Sequence, residues 1–189
     1  MQKRHTDRES YFGEQSQTSK NYYIPYIKEV IGHIPDKVLE VGCGEGGNLL
    51  PFAEAGCRVM GVDIDATRIE QARTFFAQRH QQGQFIATDI FQLKDKATNF
   101  PLILLHDVIE HIRDKERFLS GLQKHLSADG AIFVGFPAWQ MPFGGHQQIA
   151  HSHIVSHFPF LHLLPRTLYR WILRLCGEPV SYTHLTLPT

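Results

Sequence analysis

The stretch VLEVGCGEGG, at positions 38–47, joins a short apolar run to a cluster of glycines. An apolar run of this kind predicts a buried β-strand. Glycines directly after it predict a turn that adopts positive φ or approaches a ligand closely. Where such a turn opens into a helix, the free N–H groups of the helix start favour a negatively charged group. The stretch therefore predicts a ligand-binding loop between a strand and a helix, although tight turns alone also need glycine.

Strands and helices alternate along the rest of the chain. Four further apolar stretches predict strands: 58–62, 84–88, 102–105 and 131–136. Four other segments predict helices: 22–34, 48–55, 66–81 and 115–126. This alternation indicates βαβ units and an α/β fold with a parallel sheet of about five strands. Residues 1–21 are polar and predict a mobile N-terminal arm, and residues 128–130 predict a turn before the last strand.

Composition limits the classes of partner and compartment. Nineteen Lys and Arg balance nineteen Asp and Glu, so no net field favours nucleic acid or an anionic membrane. Three cysteines without disulfide spacing favour a reducing compartment. The N-terminus lacks the apolar stretch of a secretory signal, and no run approaches the roughly 18 apolar residues of a membrane span. We therefore expect a cytoplasmic protein without a transmembrane segment.

Two aspartates follow predicted strands. Asp63 ends the second strand, about twenty residues after the loop, where an acid accepts hydrogen bonds from ribose hydroxyls. Asp89 ends the third strand, where a carboxylate can accept a hydrogen bond from an adenine amino group. Either acid alone can equally cap a helix. Since ligands of open parallel sheets bind at the carboxyl ends of the strands, the loop and both acids together predict a nucleotide site.

The loop resembles the nucleotide-binding motif of class I S-adenosylmethionine-dependent methyltransferases. In that family glycines in a G-x-G-x-G pattern follow an acid, as Gly42, Gly44 and Gly46 follow Glu40. The G-x-G-x-x-G pattern of dinucleotide dehydrogenases is also present, with Gly47 as its third glycine, so the loop alone does not discriminate. Three later segments also resemble motifs of the methyltransferase family: 61–65, 87–90 and 106–111.

The resemblance covers about residues 22–139 and implies a Rossmann-like three-layer sandwich that binds S-adenosylmethionine. It assigns cofactor-binding roles to nine residues: Glu40, Gly42, Gly44, Gly46, Asp63, Ile64, Asp89, Ile90 and His106. The glycines would lie along the methionine part, and Glu40 would support the loop or the methionine amine. Asp63 would bind the ribose and Ile64 the adenine face. Asp89 and Ile90 would hold the adenine edge, with His106 beneath the sulfonium.

Methyl transfer from a sulfonium is an in-line displacement that depends mainly on alignment and exclusion of water. A general base is needed chiefly when the acceptor is a hydroxyl, and His111 and His146 are the candidates. Asp107, Glu110 and His111 suggest an alternative, a divalent metal site, if a helical turn follows the fourth strand. The competing interpretation, which we favour, is that Glu110 and His111 only fix the loop there, so we predict no metal.

Two segments of the C-terminal part, residues 137–164 and 180–189, receive separate predictions. An aromatic, histidine-rich segment, 137–164, is expected to form the acceptor pocket and its lid within a methyltransferase domain of residues 22–179. Residues 180–189 resemble the in-frame translation of a transposase adapter used in sequencing-library preparation. The family's sheet has seven strands, so we expect a truncated chain whose last two strands are missing.

The expected function is methyl transfer from S-adenosylmethionine to a small-molecule, quinone, lipid or sugar-derived acceptor. Two alternatives remain open at this point: a nucleotide-dependent oxidoreductase and a non-catalytic S-adenosylmethionine-binding domain. The neutral charge disfavours nucleic acid as the acceptor. The oligomeric state is not predicted.

Overall fold

The structure, a computed structural model, describes residues 7–93, 98–138, 140–142 and 150–178. Its backbone forms two compact units, which are described separately below. One comprises residues 7–136, and the other contains the described residues from 137 onward.

Five parallel strands form the sheet of the first unit. Their bounds are β1 Lys37–Val41, β2 Arg58–Asp63, β3 Gln84–Ala87, β4 Phe100–His106 and β5 Leu126–Gly135. The strand order is β3-β2-β1-β4-β5, and every neighbouring pair is parallel. All carboxyl ends therefore lie at one edge of the sheet, which confirms the predicted α/β class and its parallel sheet.

Helices precede and connect these strands. Those of the first unit are α1 Arg8–Thr18, α2 Ile24–Ile31, α3 Leu50–Glu54, α4 Ala66–Gln78 and α5 Lys115–Leu122. A π-helical segment, Ser19–Tyr23, joins α1 to α2. The described residues of this unit also form four short 3-10 helices: Gly47–Leu49, Ile90–Gln92, Ile109–His111 and Gln123–His125. Asp65 and Asp114 cap α4 and α5 with their side chains, as acids do at the free N–H groups of a helix start.

The core lies on both faces of the sheet. Alternate residues of β4 enter opposite layers: Leu102 and Leu104 pack with the cluster that contains Phe52, whereas Ile103 and Leu105 pack with the cluster that contains Phe118. A strand buried on both faces explains the continuous apolar run that predicted β4. The result is the predicted three-layer arrangement, with the sheet between two helical layers.

The described part of the N-terminal segment begins with a helix. Residues 8–18 form α1, and Phe12 is fully buried in the core, where its ring lies 5.0 Å from that of Phe75. One buried residue in a polar helix gives no apolar periodicity, so the sequence pattern did not reveal it. The helix expected at 22–34 is also shorter, because Gly32 takes a left-handed conformation and ends α2. The mobility of the segment stays a prediction.

The last strand also differs from its prediction. β5 begins at Leu126 and includes the expected turn at 128–130. A register shift accommodates the extra residues, since Leu126 pairs with Phe100 while Ala131 pairs with Leu102. β5 forms one edge of the sheet of the first unit, and none of its ten residues is fully buried.

The second unit has its own small core. It contains α6 (His153–His157), a 3-10 helix (Leu161–Leu163) and α7 (Arg166–Leu175). Its buried apolar residues are Val155, Leu161, Tyr169 and Leu173. The lid assigned to residues 137–164 stays a prediction, and the tail at 180–189 lies outside the described residues. None of the helices in the described ranges has the length and apolar character that a membrane span requires.

Candidate cofactor site

The glycine loop follows β1 at the carboxyl edge of the sheet. Gly42, Gly44 and Gly46 all have positive φ, at +74°, +51° and +82°. Residues other than glycine rarely adopt a positive φ. The prediction that this turn needs glycine for its backbone conformation is therefore confirmed. The amides of Gly42 and Cys43 both donate to the carbonyl oxygen of Val62, at 2.7 and 3.1 Å. These two bonds fix the start of the loop to the end of β2.

Protein atoms already take the space beside these glycines. A Cβ on Gly42 would collide with Val108, and one on Gly44 would collide with the guanidinium of Arg68. A Cβ on Gly46 would lie 2.9 Å from the ring of Phe85. The three glycines are therefore required by the packing of neighbouring side chains as well as by their positive φ. The glycine spacing in the sequence did not reveal the packing requirement.

Glu40 lies below the loop, on β1, and only 1% of it is exposed. Its Oε1 accepts a hydrogen bond from Nδ2 of Asn48 at 2.8 Å. Its Oε2 is buried and has no hydrogen-bond partner among the described residues. Burial raises the pKa of Glu40 to about 8, and the nearby Asp63 carboxylate adds to the shift. A buried carboxyl with an unused oxygen suits a ligand that brings a hydrogen-bond donor or a positive charge.

Asp63 is the last residue of β2 and is also largely buried. Its Oδ2 accepts from the amide of Gly44 at 2.8 Å, and its Oδ1 accepts from the amide of Asp65 at 2.9 Å. Each carboxylate oxygen has two lone pairs, so both retain capacity for a further donor such as a hydroxyl. The neighbouring Ile64 is 82% exposed and offers an apolar surface. This pair fits a ribose and the face of a base.

The two predicted site residues after the third strand, Asp89 and Ile90, differ in their exposure. Asp89 is exposed and accepts from the amide of Phe91 at 2.9 Å, so it caps the 3-10 helix that follows. That is the capping role that the sequence left open for each acid. The side chain of Ile90 is buried among the core residues beneath the sheet edge. Any contact of Ile90 with a ligand would therefore come from its backbone.

At the end of β4, His106 lies beside a residue that sequence reasoning missed. The ring of Tyr23 is 5.6 Å from that of His106 and 4.9 Å from that of Phe133 on β5. Burial, then the carboxylates of Asp107 and Glu40, raise the pKa of Tyr23 to about 12. Tyr23 comes from the π-helical segment, and such segments are frequent at functional sites. The π-helical geometry is the feature that draws attention to Tyr23, and it is visible only in the folded backbone.

The acids and histidine after β4 do not form the expected helical face. Asp107 has a φ of +54°, and the 3-10 helix begins only at Ile109, so α-helical spacing from Asp107 does not apply. Both carboxylate oxygens of Glu110 are buried without a hydrogen-bond partner in the described part of the chain. Nε2 of His111 lies 4.0 Å from Oε1 of Glu110, and the His111 side chain is 62% exposed.

Two other site predictions concern a metal ion and the candidate base His146. Within the described ranges, no group of three or more His, Cys, Asp or Glu side chains is arranged to hold a metal ion. His146, the second candidate base, lies outside the described residues. Both candidate bases therefore stay predictions.

Comparison with known proteins agrees with this geometry. Residues 39–132 match a family model described as a methyltransferase domain. The ubiquinone biosynthesis O-methyltransferase of Bartonella quintana is 33% identical over 118 residues, which are 60% of this chain and 48% of that protein. The enzyme of the same name from Brucella ovis is 34% identical over 98 residues, which are 52% of this chain and 40% of that protein. The chain thus spans about half the length of the curated relatives it matches.

Solved structures show the same fold. PKMT2 from Rickettsia typhi, in complex with AdoHcy, aligns with a TM-score of 0.57 and 26% identity over 84% of this chain and 33% of that one. An S-adenosylmethionine-dependent methyltransferase from Clostridium acetobutylicum aligns with a TM-score of 0.57 over 65% of this chain and 51% of that one. At 17% identity, this second likeness supports the fold alone. With its glycine loop, its parallel sheet and these relatives, the chain belongs to the class I S-adenosylmethionine-dependent methyltransferase family.

Proposed function

We propose that this chain is the cofactor-binding core of an enzyme that transfers a methyl group from S-adenosylmethionine to a small-molecule acceptor. The observation that carries the proposal is the meeting of the positive-φ loop, buried Glu40 and Asp63 at one sheet edge. Membership of the methyltransferase family removes the dehydrogenase alternative that the glycine spacing left open. Among the acceptor classes expected from the sequence, the ubiquinone-pathway relatives favour a hydroxyl group on a quinone-like compound.

We assign each cofactor-facing residue a separate task in this proposal. Glu40 accepts from the methionine ammonium through its unused Oε2, and Asp63 accepts from the ribose hydroxyls. Ile64 covers one face of the adenine, while the Asp89 carboxylate and the Ile90 backbone meet its edge. The loop of Gly42, Gly44 and Gly46 runs along the methionine part, and His106 lines the pocket near the sulfur.

The cofactor supplies a methyl group that is already activated by its positive sulfur. The residues of the chain therefore need to orient the acceptor and keep water away, and orientation lowers the barrier substantially. A hydroxyl acceptor must also lose its proton, and we assign this role to His111 or His146. Residues 137–164 are proposed to supply the acceptor pocket.

Calorimetric titration of S-adenosylhomocysteine into the full chain tests the proposal. A separate titration with NADH tests the alternative ligand. We expect S-adenosylhomocysteine to bind and NADH to give no heat of binding. The Asp63→Asn variant should bind at least about tenfold more weakly, since one charged acceptor is lost. Asp36→Asn is the matched control, because Asp36 is an exposed acid that pairs with Arg58 at the opposite edge of the sheet. Binding of NADH alone, by a folded chain, would overturn the proposal.

A further inference from the structure

The glycine loop contains a buried acid for which the proposed cofactor contacts give no role. The Glu45 side chain has no exposed surface and lies between arginines from two different helices. Arg68 of α4 donates from Nε to Oε1 at 3.1 Å and from Nη2 to Oε2 at 2.8 Å. Nη1 of Arg8, on α1, lies 3.3 Å from Oε1. A buried carboxylate is stable only with such partners, so both arginines are tied to the loop.

Arg68 reaches Glu45 by crossing the loop at Gly44. Its guanidinium occupies the place that a side chain on residue 44 would need. The amide of the same residue donates to Asp63 at 2.8 Å. Gly44 is therefore fixed on one side by Arg68 and on the other by the acid that we assign to the ribose. The loop conformation and the position of Arg68 depend on each other.

Arg8 extends this cluster to α1, and two more close contacts join the loop region to α1 and to the π-helical segment that follows it. A Cβ on Gly47 would lie 2.6 Å from the carbonyl oxygen of Phe12, so glycine at this position lets the backbone of α1 approach. Oγ of Ser19 donates to the carbonyl oxygen of Asn48 at 2.8 Å. Asn48 in turn donates to Glu40. The N-terminal helical segments thus contact the loop and the residues directly after it, and Asn48 connects them to Glu40 before the loop.

We propose that Arg8, Glu45 and Arg68 are positioning residues that hold α1 on the glycine loop, and that this docking is coupled to cofactor binding. The inference rests on the proposed function, since it concerns the same cofactor. None of the three residues needs to touch the cofactor. Their effect is indirect, because the loop conformation that binds the cofactor is the one that α1 holds in place. By linkage, a cofactor that prefers the docked loop must also strengthen the docking of α1.

Two neighbouring residues of α1 provide the test. Arg8→Gln removes the charge that faces Glu45. Glu9→Gln removes the partner of Arg79, the residue that caps the C-terminal end of α4. Nη2 of Arg79 lies 3.9 Å from Oε1 of Glu9, so this pair joins α1 to the other end of α4. Both side chains are at least partly exposed, so neither substitution creates a buried cavity. Calorimetry with S-adenosylhomocysteine should show affinity weakened about tenfold in Arg8→Gln, unchanged in Glu9→Gln and restored in Arg8→Lys.

Hydrogen exchange measures whether the cofactor site and α1 are coupled. An ion pair that only stabilised α1 would not make the protection of α1 depend on the ligand. S-adenosylhomocysteine should increase the protection of residues 8–23 in the wild type, and this increase should be lost in Arg8→Gln. Wild-type affinity in Arg8→Gln, or an equal loss in Glu9→Gln, would overturn the inference while leaving the proposed function intact. Unchanged exchange in α1 on ligand binding would do the same. A folded wild type that binds no S-adenosylhomocysteine would overturn both proposals.

Discussion

The side chain of Val108, in the loop after β4, fills the space in which a side chain on Gly42 would begin. The two residues come from different strand ends of the same sheet edge, β1 and β4. Their contact means that the glycine loop is shaped by its neighbours as well as by its own backbone.

Replacing Gly42 with alanine should therefore destabilise the protein in two ways. A non-glycine residue at positive φ and a collision with Val108 together should cost about 2–4 kcal/mol in the free energy of unfolding, measured with urea. Gly32→Ala is the control, because Gly32 has a φ of +82° but open space around it. Its loss should be limited to about 1–2 kcal/mol.

A double-mutant cycle separates the effect of the collision with Val108 from the effect of the positive φ at Gly42. Gly42→Ala combined with Val108→Ala should lose less stability than the sum of the two single substitutions, by at least about 1 kcal/mol. Strict additivity in the same denaturation experiment would show that Val108 does not restrict the loop.

Glu40 should make stability fall as the pH rises. Its pKa is about 8 in the folded protein, against a usual value of 4.5. Between these two values the folded protein keeps a proton that the unfolded chain has released, so raising the pH favours unfolding. The maximum slope is about 1.4 kcal/mol per pH unit.

The test is urea unfolding of the wild type and Glu40→Gln at several pH values between about 5 and 8. The variant should lack this decline, so its stability relative to the wild type should rise by a few kcal/mol across the range. Glu54→Gln, at an exposed position, should follow the wild type. Parallel curves for Glu40→Gln and the wild type would mean that Glu40 does not keep its proton in the folded protein.

The N-terminal helix should contribute to global stability. Phe12 is fully buried, so Phe12→Ala should reduce the free energy of unfolding by about 3–5 kcal/mol. Tyr22→Ala provides an exposed aromatic for comparison and should change it by no more than about 0.5 kcal/mol. Similar small losses in both variants would support the prediction that residues 1–21 form a mobile arm.

His111 should affect catalysis rather than cofactor binding. If it accepts the proton of a hydroxyl acceptor, His111→Ala should lower the turnover number by about 100-fold or more. Its affinity for S-adenosylhomocysteine should not change. His33→Ala, which removes an exposed histidine at the end of α2, is the control for general effects of losing imidazole. Full activity in both His111→Ala and His146→Ala would eliminate the general-base proposal.

The parts of the fold that could be predicted are those whose signal is local. The continuous apolar run of β4 and the glycines after β1 each express a requirement of their own backbone and surroundings. Asp63 could be placed because it ends a strand at the same edge. These features identified the sheet, the loop and the family.

The parts that could not be predicted depend on how distant elements pack. Helix α1 has one fully buried apolar residue, Phe12, so its docking leaves almost no periodic pattern. The pairing of Glu45 with Arg68 joins the loop to α4 through side chains alone. Tyr23 belongs to the π-helical segment before α2, and its ring lies 5.6 Å from that of His106, a residue at the end of a distant strand. Such contacts need the folded coordinates.

The crowding around the loop glycines changes how amino-acid substitutions in this protein should be interpreted. Val108, Arg68 and Phe85 occupy the volume that the missing side chains release. A bulkier residue at position 108 would press on the loop as a substitution at Gly42 does, although it lies outside the motif. Part of the constraint that the glycine spacing expresses is thus encoded in three other segments of the chain. A survey of natural variants that scores only the glycines would overlook it.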